Sequence, residues 1–140
     1  MSDRTPSLLF VCIQNSCRSQ MAEGFARELA RGRVTATSAG SRPSGEVDVR
    51  AIQFMAEKSI DLTSQHSKGL DDLPALHWDY VVTMGCGDAC PHLPARNRLD
   101  WDLPDPKHLD DDGFRAVRDR IEILVQELID TATRLAVPRS

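Results

Sequence analysis

The sequence has no long apolar run. Its N-terminus is polar, and the stretch from Leu8 to Cys12 is too short for a signal peptide or a membrane span. That absence argues against an anchored or secreted class and predicts a cytoplasmic protein with no membrane partner. Excess positive charge is missing too: 17 Lys and Arg stand against 21 Asp and Glu, a formal net charge of -4. A nucleic-acid partner is therefore not expected, and an anionic ligand would need local positive charge. Neither an internal repeat nor a low-complexity linker interrupts the chain, so one domain over residues 1–140, acting as a monomer, is expected. Cysteine is sparse, at four residues. A cytosolic chain of this length buries a core without a disulfide frame, so the cysteines point to redox chemistry or metal binding.

What is present alternates in type. Ser7–Val11 is a short apolar run that suits a buried parallel strand. An amphipathic helix follows over Ser19–Arg31, with Met21, Ala22, Phe25 and Leu29 on one side. Val34–Ser38 reads as a strand closed by Ala39-Gly40, and Val47–Lys58 as a helix. Leu70–Leu76 reads as a short helix, with strands at Tyr80–Met84 and near Arg98–Trp101. Phe114–Leu135 repeats Val117, Ile121, Leu124 and Leu128 at helical spacing. Alternating strands and helices predict an α/β three-layer sandwich. Its four-stranded parallel sheet has the order 2-1-3-4, with right-handed crossovers and helices on both faces. The working site of such a sheet lies at the carboxyl ends of its strands, where Cys12 and Cys86 fall.

Cys12-Ile13-Gln14-Asn15-Ser16-Cys17-Arg18-Ser19 joins the first strand to the first helix. Such a loop can curl its backbone N–H groups around one centre, and the helix adds its own N–H groups and positive dipole end. A tetrahedral oxyanion such as arsenate, phosphate or sulfate fits that cradle, made by Ile13, Gln14, Asn15, Ser16, Cys17, Arg18 and Ser19. Arg18 can grip two oxygens with its planar fork. The same field favours a thiolate at Cys12, to which Ser19 can donate, while Asn15 can lock the loop. A buried cysteine beside an ordinary helical arginine is the plain alternative. Cys17, on the first turn, reads as a small packed residue.

The extended stretch Cys-Ile-Gln-Asn-Ser-Cys-Arg-Ser-Gln-Met-Ala-Glu-Gly resembles the active-site loop of arsenate reductases related to low-molecular-weight protein tyrosine phosphatases. Ser38-Ala39-Gly40, Thr83-Met84-Gly85-Cys86, Asp105-Pro106 and Phe114-Arg115-x-Val117-Arg118-Asp119-x-Ile121 match that family in order. The resemblance covers nearly the whole chain. It implies the phosphotyrosine phosphatase I-like fold and arsenate as substrate, for detoxification, with no bound cofactor and no metal. In the resembled thioredoxin-coupled enzymes, Cys12 attacks arsenate, Cys86 attacks the Cys12 sulfur, and Cys90 carries the disulfide away for thioredoxin to reduce. Residues four apart on a regular helix have Cβ atoms about 5–6 Å apart, against roughly 3.5–4.5 Å for a disulfide, so a Cys86–Cys90 pair demands a distorted segment. Gly85 and Gly87 would allow that.

Alternatives stay open. Cys86, Cys90 and His92 could hold zinc, with His66 as a candidate fourth ligand. A small thiol with a glutaredoxin-like partner could replace thioredoxin. A low-molecular-weight tyrosine phosphatase using Cys12, Arg18 and Asp105 is the hydrolase alternative, and weak phosphatase activity could persist in a reductase. The phosphatase relatives carry tyrosines after Asp-Pro, whereas here Lys107-His108 follow and the one tyrosine, Tyr80, lies in a predicted strand. A non-catalytic sensor would need a partner-binding element that the sequence does not contain.

By the resemblance, Asp105 is the acid that protonates the departing oxygen. Asp100 and Asp102 read as surface charges. In some members the counterparts of Asn15, Glu23 and Ser38, with a carboxylate near Gln65-His66-Ser67-Lys68, bind potassium. Lys68 stands where that carboxylate would fall. It is expected to pair with Glu23 and support the loop without potassium.

Overall fold

The computed structural model describes residues 5–73, 78–85, 93 and 95–135. Its order is β1 (Ser7–Cys12), α1 (Arg18–Ala30), β2 (Thr35–Gly40), α2 (Val49–Ala56), β3 (Trp78–Met84), β4 (Ala95–Trp101) and α3 (Asp111–Leu135). Two 3-10 turns, Leu70–Asp72 and Pro106–His108, lie between them. The strands form one parallel sheet in the order β2-β1-β3-β4, as expected.

β1 is central, and Leu8, Leu9, Phe10 and Val11 are all buried, which is why its sequence shows no alternation. Leu8 and Phe10 face the larger core, where Met21, Phe25, Phe54, Met55, Phe114, Ile121 and Ile129 of α1, α2 and α3 pack. Leu9, Val11 and Val81 face the other side, under Leu70 and Leu73 around the first 3-10 turn and Leu93. Among the described residues the three α-helices thus cover the Leu8 and Phe10 face, and the first 3-10 turn lies on the other. Among the described residues, no helix is long and apolar enough to cross a membrane.

Several boundaries differ from the sequence reading. α2 begins after Val47 because Asp48 caps it, its carboxylate accepting from the Arg50 N–H at 2.8 Å. Only Leu70–Asp72 of the expected Leu70–Leu76 helix is formed among the described residues, because Leu73 leaves the turn in an extended conformation. β4 starts three residues earlier than its apolar signal, since it is an edge strand with exposed Arg96, Arg98 and Asp100. β2 runs on through Ala39-Gly40 rather than closing before them. Gly40 pairs with Cys12, and a Cβ there would lie 2.5 Å from the Ile13 carbonyl oxygen. The end of β2 must be glycine for the loop after β1 to pass this close.

Candidate active site

The loop between β1 and α1 is held from behind. The Ile13 carbonyl accepts from Arg42 N–H (2.8 Å), Gln14 from Ser44 N–H (3.0 Å) and Ser16 from Asp48 N–H (2.8 Å). The Asn15 carbonyl accepts from the Gln20 side chain at 3.0 Å. In a planar trans peptide, N–H and C=O point opposite ways. Tying these four carbonyls outward turns the N–H groups of Gln14, Asn15, Ser16 and Cys17 into the loop's interior. Asn15 takes the left-handed conformation, with φ of 51°, to make that curl possible. α1 opens with no side-chain cap, so its first N–H groups add to the same positive end. The result is a nest of N–H groups on a helix N-terminus, a geometry that suits an anion.

Cys12 sits beneath this nest at the end of β1 and is 4% exposed. Its Sγ lies 2.8 Å from Ser19 Oγ. Asn15 Nδ2 donates to that same hydroxyl oxygen at 2.9 Å. With its oxygen accepting from Asn15, the Ser19 O–H is free to donate to sulfur, the arrangement a thiolate needs. Asn15 Oδ1 in turn accepts from the Lys68 backbone N–H at 2.9 Å and from Gln20 Nε2 at 2.9 Å.

Arg18 Nη1 donates to the Leu103 carbonyl at 2.8 Å. Gly85, just past β3, has φ of +73°, and a Cβ on it would lie 2.6 Å from Arg18 Nη1. The glycine is what lets the guanidinium lie against this backbone, a second reason for Gly85 besides the expected flexibility. Asp105 caps the Pro106–His108 turn, accepting from the Lys107 N–H at 3.0 Å. A cavity of about 360 Å³ is lined by Cys12, Ile13, Gln14, Ser16, Cys17 and Arg18 on one side and by Asp105, Lys107 and His108 on the other. Asp100 and Asp102 are exposed, and Asp100 accepts from Thr83 Oγ1 at 2.7 Å. Burial pushes the Cys17 thiol far up, Asp48 and Asp105 push the same way, and Lys107 opposes them. Cys17 therefore stays a neutral, packed thiol at the cavity floor. Cys86, Cys90 and His92, on which the redox relay and the zinc alternative rest, lie outside the described residues.

Below the loop, Glu23 is 2% exposed and has two cations. Lys68 Nζ lies 3.3 Å from Oε1, Ser38 Oγ donates to the same oxygen at 2.6 Å, and Arg27 pairs with Oε2. A carboxylate already facing an ammonium and a guanidinium has no charge left for a potassium ion, so these residues do not fit one. Among the described residues, no group of three or more His, Cys, Asp or Glu could hold a metal.

Three supports escaped the sequence reading. Gln20 bridges Asn15 to the His66 carbonyl at 3.0 Å, and Gln65 Nε2 donates to Gln20 Oε1 at 2.8 Å. Both glutamines are buried, and glutamine inside an apolar helix face was the available signal for the first. Arg27 follows Glu23 at the four-residue helical spacing that brings side chains together.

The chain is similar to known proteins. The family model for low molecular weight phosphotyrosine protein phosphatase matches residues 7–137. The chain is 39% identical over 125 residues to the glutaredoxin arsenate reductase of Synechocystis sp., covering 87% of this chain and 95% of that one. It superposes on a solved arsenate reductase in its phosphate-binding state with a TM-score of 0.82 and 38% identity, covering 91% of this chain and 98% of the other. A thioredoxin-dependent arsenate reductase of Corynebacterium glutamicum gives a TM-score of 0.76 at 28% identity, over 94% of this chain and 64% of the other. With a matched span running from the first residue of β1 past the end of α3, the chain belongs to the low molecular weight phosphotyrosine protein phosphatase family.

Proposed function

We propose that this protein is an arsenate reductase serving arsenic detoxification, with Cys12 as its nucleophile. The observation that carries the reading is the Cys12 sulfur, bonded to Ser19 at 2.8 Å beneath a nest whose carbonyls are tied outward. The arsenate reductases among its relatives, over nearly their full length, support arsenic rather than a phosphoester as the reacting centre.

In the proposed first step the Cys12 thiolate adds to arsenate and an oxygen departs as water. Asp105 delivers a proton to that oxygen, since hydroxide is a poor leaving group. Arg18 and the inward N–H groups carry the charge on the remaining oxygens. The Cys86 thiolate then attacks the Cys12 sulfur. The sulfur–arsenic bond breaks with its electron pair on arsenic, releasing arsenite and leaving a Cys12–Cys86 disulfide. Cys90 attacks Cys86, which frees Cys12, and thioredoxin reduces the Cys86–Cys90 pair. Two thiols thereby supply the two electrons.

A second route is favoured by the Synechocystis relative, a glutaredoxin arsenate reductase. There a small thiol and a glutaredoxin-like partner would take over regeneration. Following NADPH loss with arsenate and either the thioredoxin or the glutathione–glutaredoxin system separates the two. Turnover with thioredoxin that vanishes in Cys12→Ser, Cys86→Ser and Cys90→Ser is expected. Turnover surviving in Cys90→Ser would sink the relay, and aryl phosphate hydrolysis without arsenate turnover would favour a phosphatase. A cytoplasm that keeps thiols reduced suits either route.

Lys68 takes the place of a cation in this scheme, paired with Glu23 beneath the loop. Adding potassium to a potassium-free assay is therefore expected to leave turnover unchanged. A several-fold rise would overturn this role for Lys68.

A further inference from the structure

One wall of the cavity over Cys12 is made by the turn that carries Lys107. The ammonium of Lys107 donates to Gln14 Oε1, so the side chain reaches from the Asp105 turn to the loop after β1. Its backbone N–H is held by Asp105 Oδ1 at 3.0 Å. Arg50 of α2 fixes the turn from behind. Its Nη2 donates to the Leu109 carbonyl at 2.9 Å and its Nη1 to the Lys107 carbonyl at 3.4 Å, while its guanidinium lies 4.7 Å from the centre of the Phe114 ring. Lys107 is thus a cation placed across the cavity, and its charge is felt at Cys17 on the floor.

A tetrahedral oxyanion attacked by Cys12 turns three oxygens toward the loop and Arg18. The fourth points away from sulfur, toward the wall formed by Asp105, Lys107 and His108. In an inorganic oxyanion this oxygen is bare, charged or a hydroxyl. In an aryl ester it carries a ring. We propose that Lys107 is a specificity-determining residue that exchanges its Gln14 contact for this outward oxygen and so selects small inorganic oxyanions over aryl esters. The inference rests on the oxyanion chemistry proposed above and names the feature that narrows its substrates.

The opposite effect, an ammonium attracting a ring by its face, is the weaker one. An exposed lysine–ring contact is worth roughly half or less of a hydrogen bond between two charged groups. Among the described residues lining the cavity there is no Phe, Tyr or Trp, and the His108 imidazole is the single ring. A ring seated there would also displace the Lys107–Gln14 contact and strip a strongly hydrated ammonium of its partners.

The test uses binding, so it does not depend on any reductant. Cys12 is alkylated with iodoacetamide while arsenate, phosphate or phenyl phosphate protects it, in wild type, Lys107→Met, Lys107→Gln and Lys107→Arg. Removing the charge is expected to weaken protection by arsenate and phosphate about tenfold or more. Protection by phenyl phosphate is expected to stay level or improve, and Lys107→Arg to keep the wild-type order. Equal losses for all three anions would mean that Lys107 only braces the wall, and unchanged protection would mean that it does not touch the anion; either overturns the proposal. Wild type that is protected by arsenate yet fails to reduce it would instead defeat the reductase reading and leave the Lys107 result standing.

Discussion

Ser19 and Cys12 are seven positions apart in the chain and 2.8 Å apart at their side-chain tips. Hydrogen bonds to charged groups contribute about 1.5–3 kcal/mol, so Ser19→Ala is expected to slow alkylation of Cys12 at neutral pH about tenfold or more. A rate unchanged from wild type would remove Ser19 from the nucleophile's support. Gly85 carries a second residue-level prediction. A left-handed conformation costs an ordinary residue roughly 1–2 kcal/mol, and here a Cβ also meets Arg18 Nη1 at 2.6 Å. Gly85→Ala should therefore weaken oxyanion protection of Cys12 more than its modest drop in melting temperature accounts for. The residues that read plainly from sequence, Cys12, Asn15, Arg18 and Ser19, all sit within the short span from the end of β1 to the first turn of α1. Gln20 and Gln65 did not, because their contact spans 45 positions and leaves no periodic trace.

At the level of elements, α2 and α3 are joined by charge as well as by Phe54 against Phe114. Glu57, at the end of α2, takes Arg115 through two 3.0 Å bonds and Arg118 through one of 2.6 Å. The hydrogen bonds from Arg115, then Arg118, hold the Glu57 carboxyl down at about 2, below its ordinary 4.5. A depressed carboxyl stabilises the folded state fully above its unfolded value and loses that contribution as pH falls through the folded one. The melting-temperature advantage of wild type over Glu57→Gln should thus be present at pH 6, shrink from about 4.5 downward and vanish below about 2. The advantage will be small, since water reaches both partners. A difference that persisted into that acidic range would assign it to packing instead. Element types were legible from apolar spacing, but ends were not. Capping by Asp48 trims α2, and solvent-facing charges on β4 mask its first residues.

For the whole molecule, strand order followed from the alternation of strands and helices together with right-handed crossovers. Local pattern could not show how distant segments close around one loop, since residues 42–48, His66, Lys68 and Leu103 are placed there only by the completed sheet. The exposed edge of β4 presents Arg96, Arg98 and Asp100, charges that oppose strand-to-strand association. Gel filtration with light scattering is expected to give the mass of a single chain, and a stable dimer would count against that protection. The outward-tied carbonyls have one more consequence. Peptide N–H groups respond to an anion's shape and charge and carry no preference between arsenic and phosphorus at its centre. A nest that admits arsenate, as proposed, would therefore admit phosphate as a standing competitor, and discrimination between these two would come after binding. In the proposed reaction only a centre that can accept two electrons from sulfur is carried forward, which would sort these anions by what they can become.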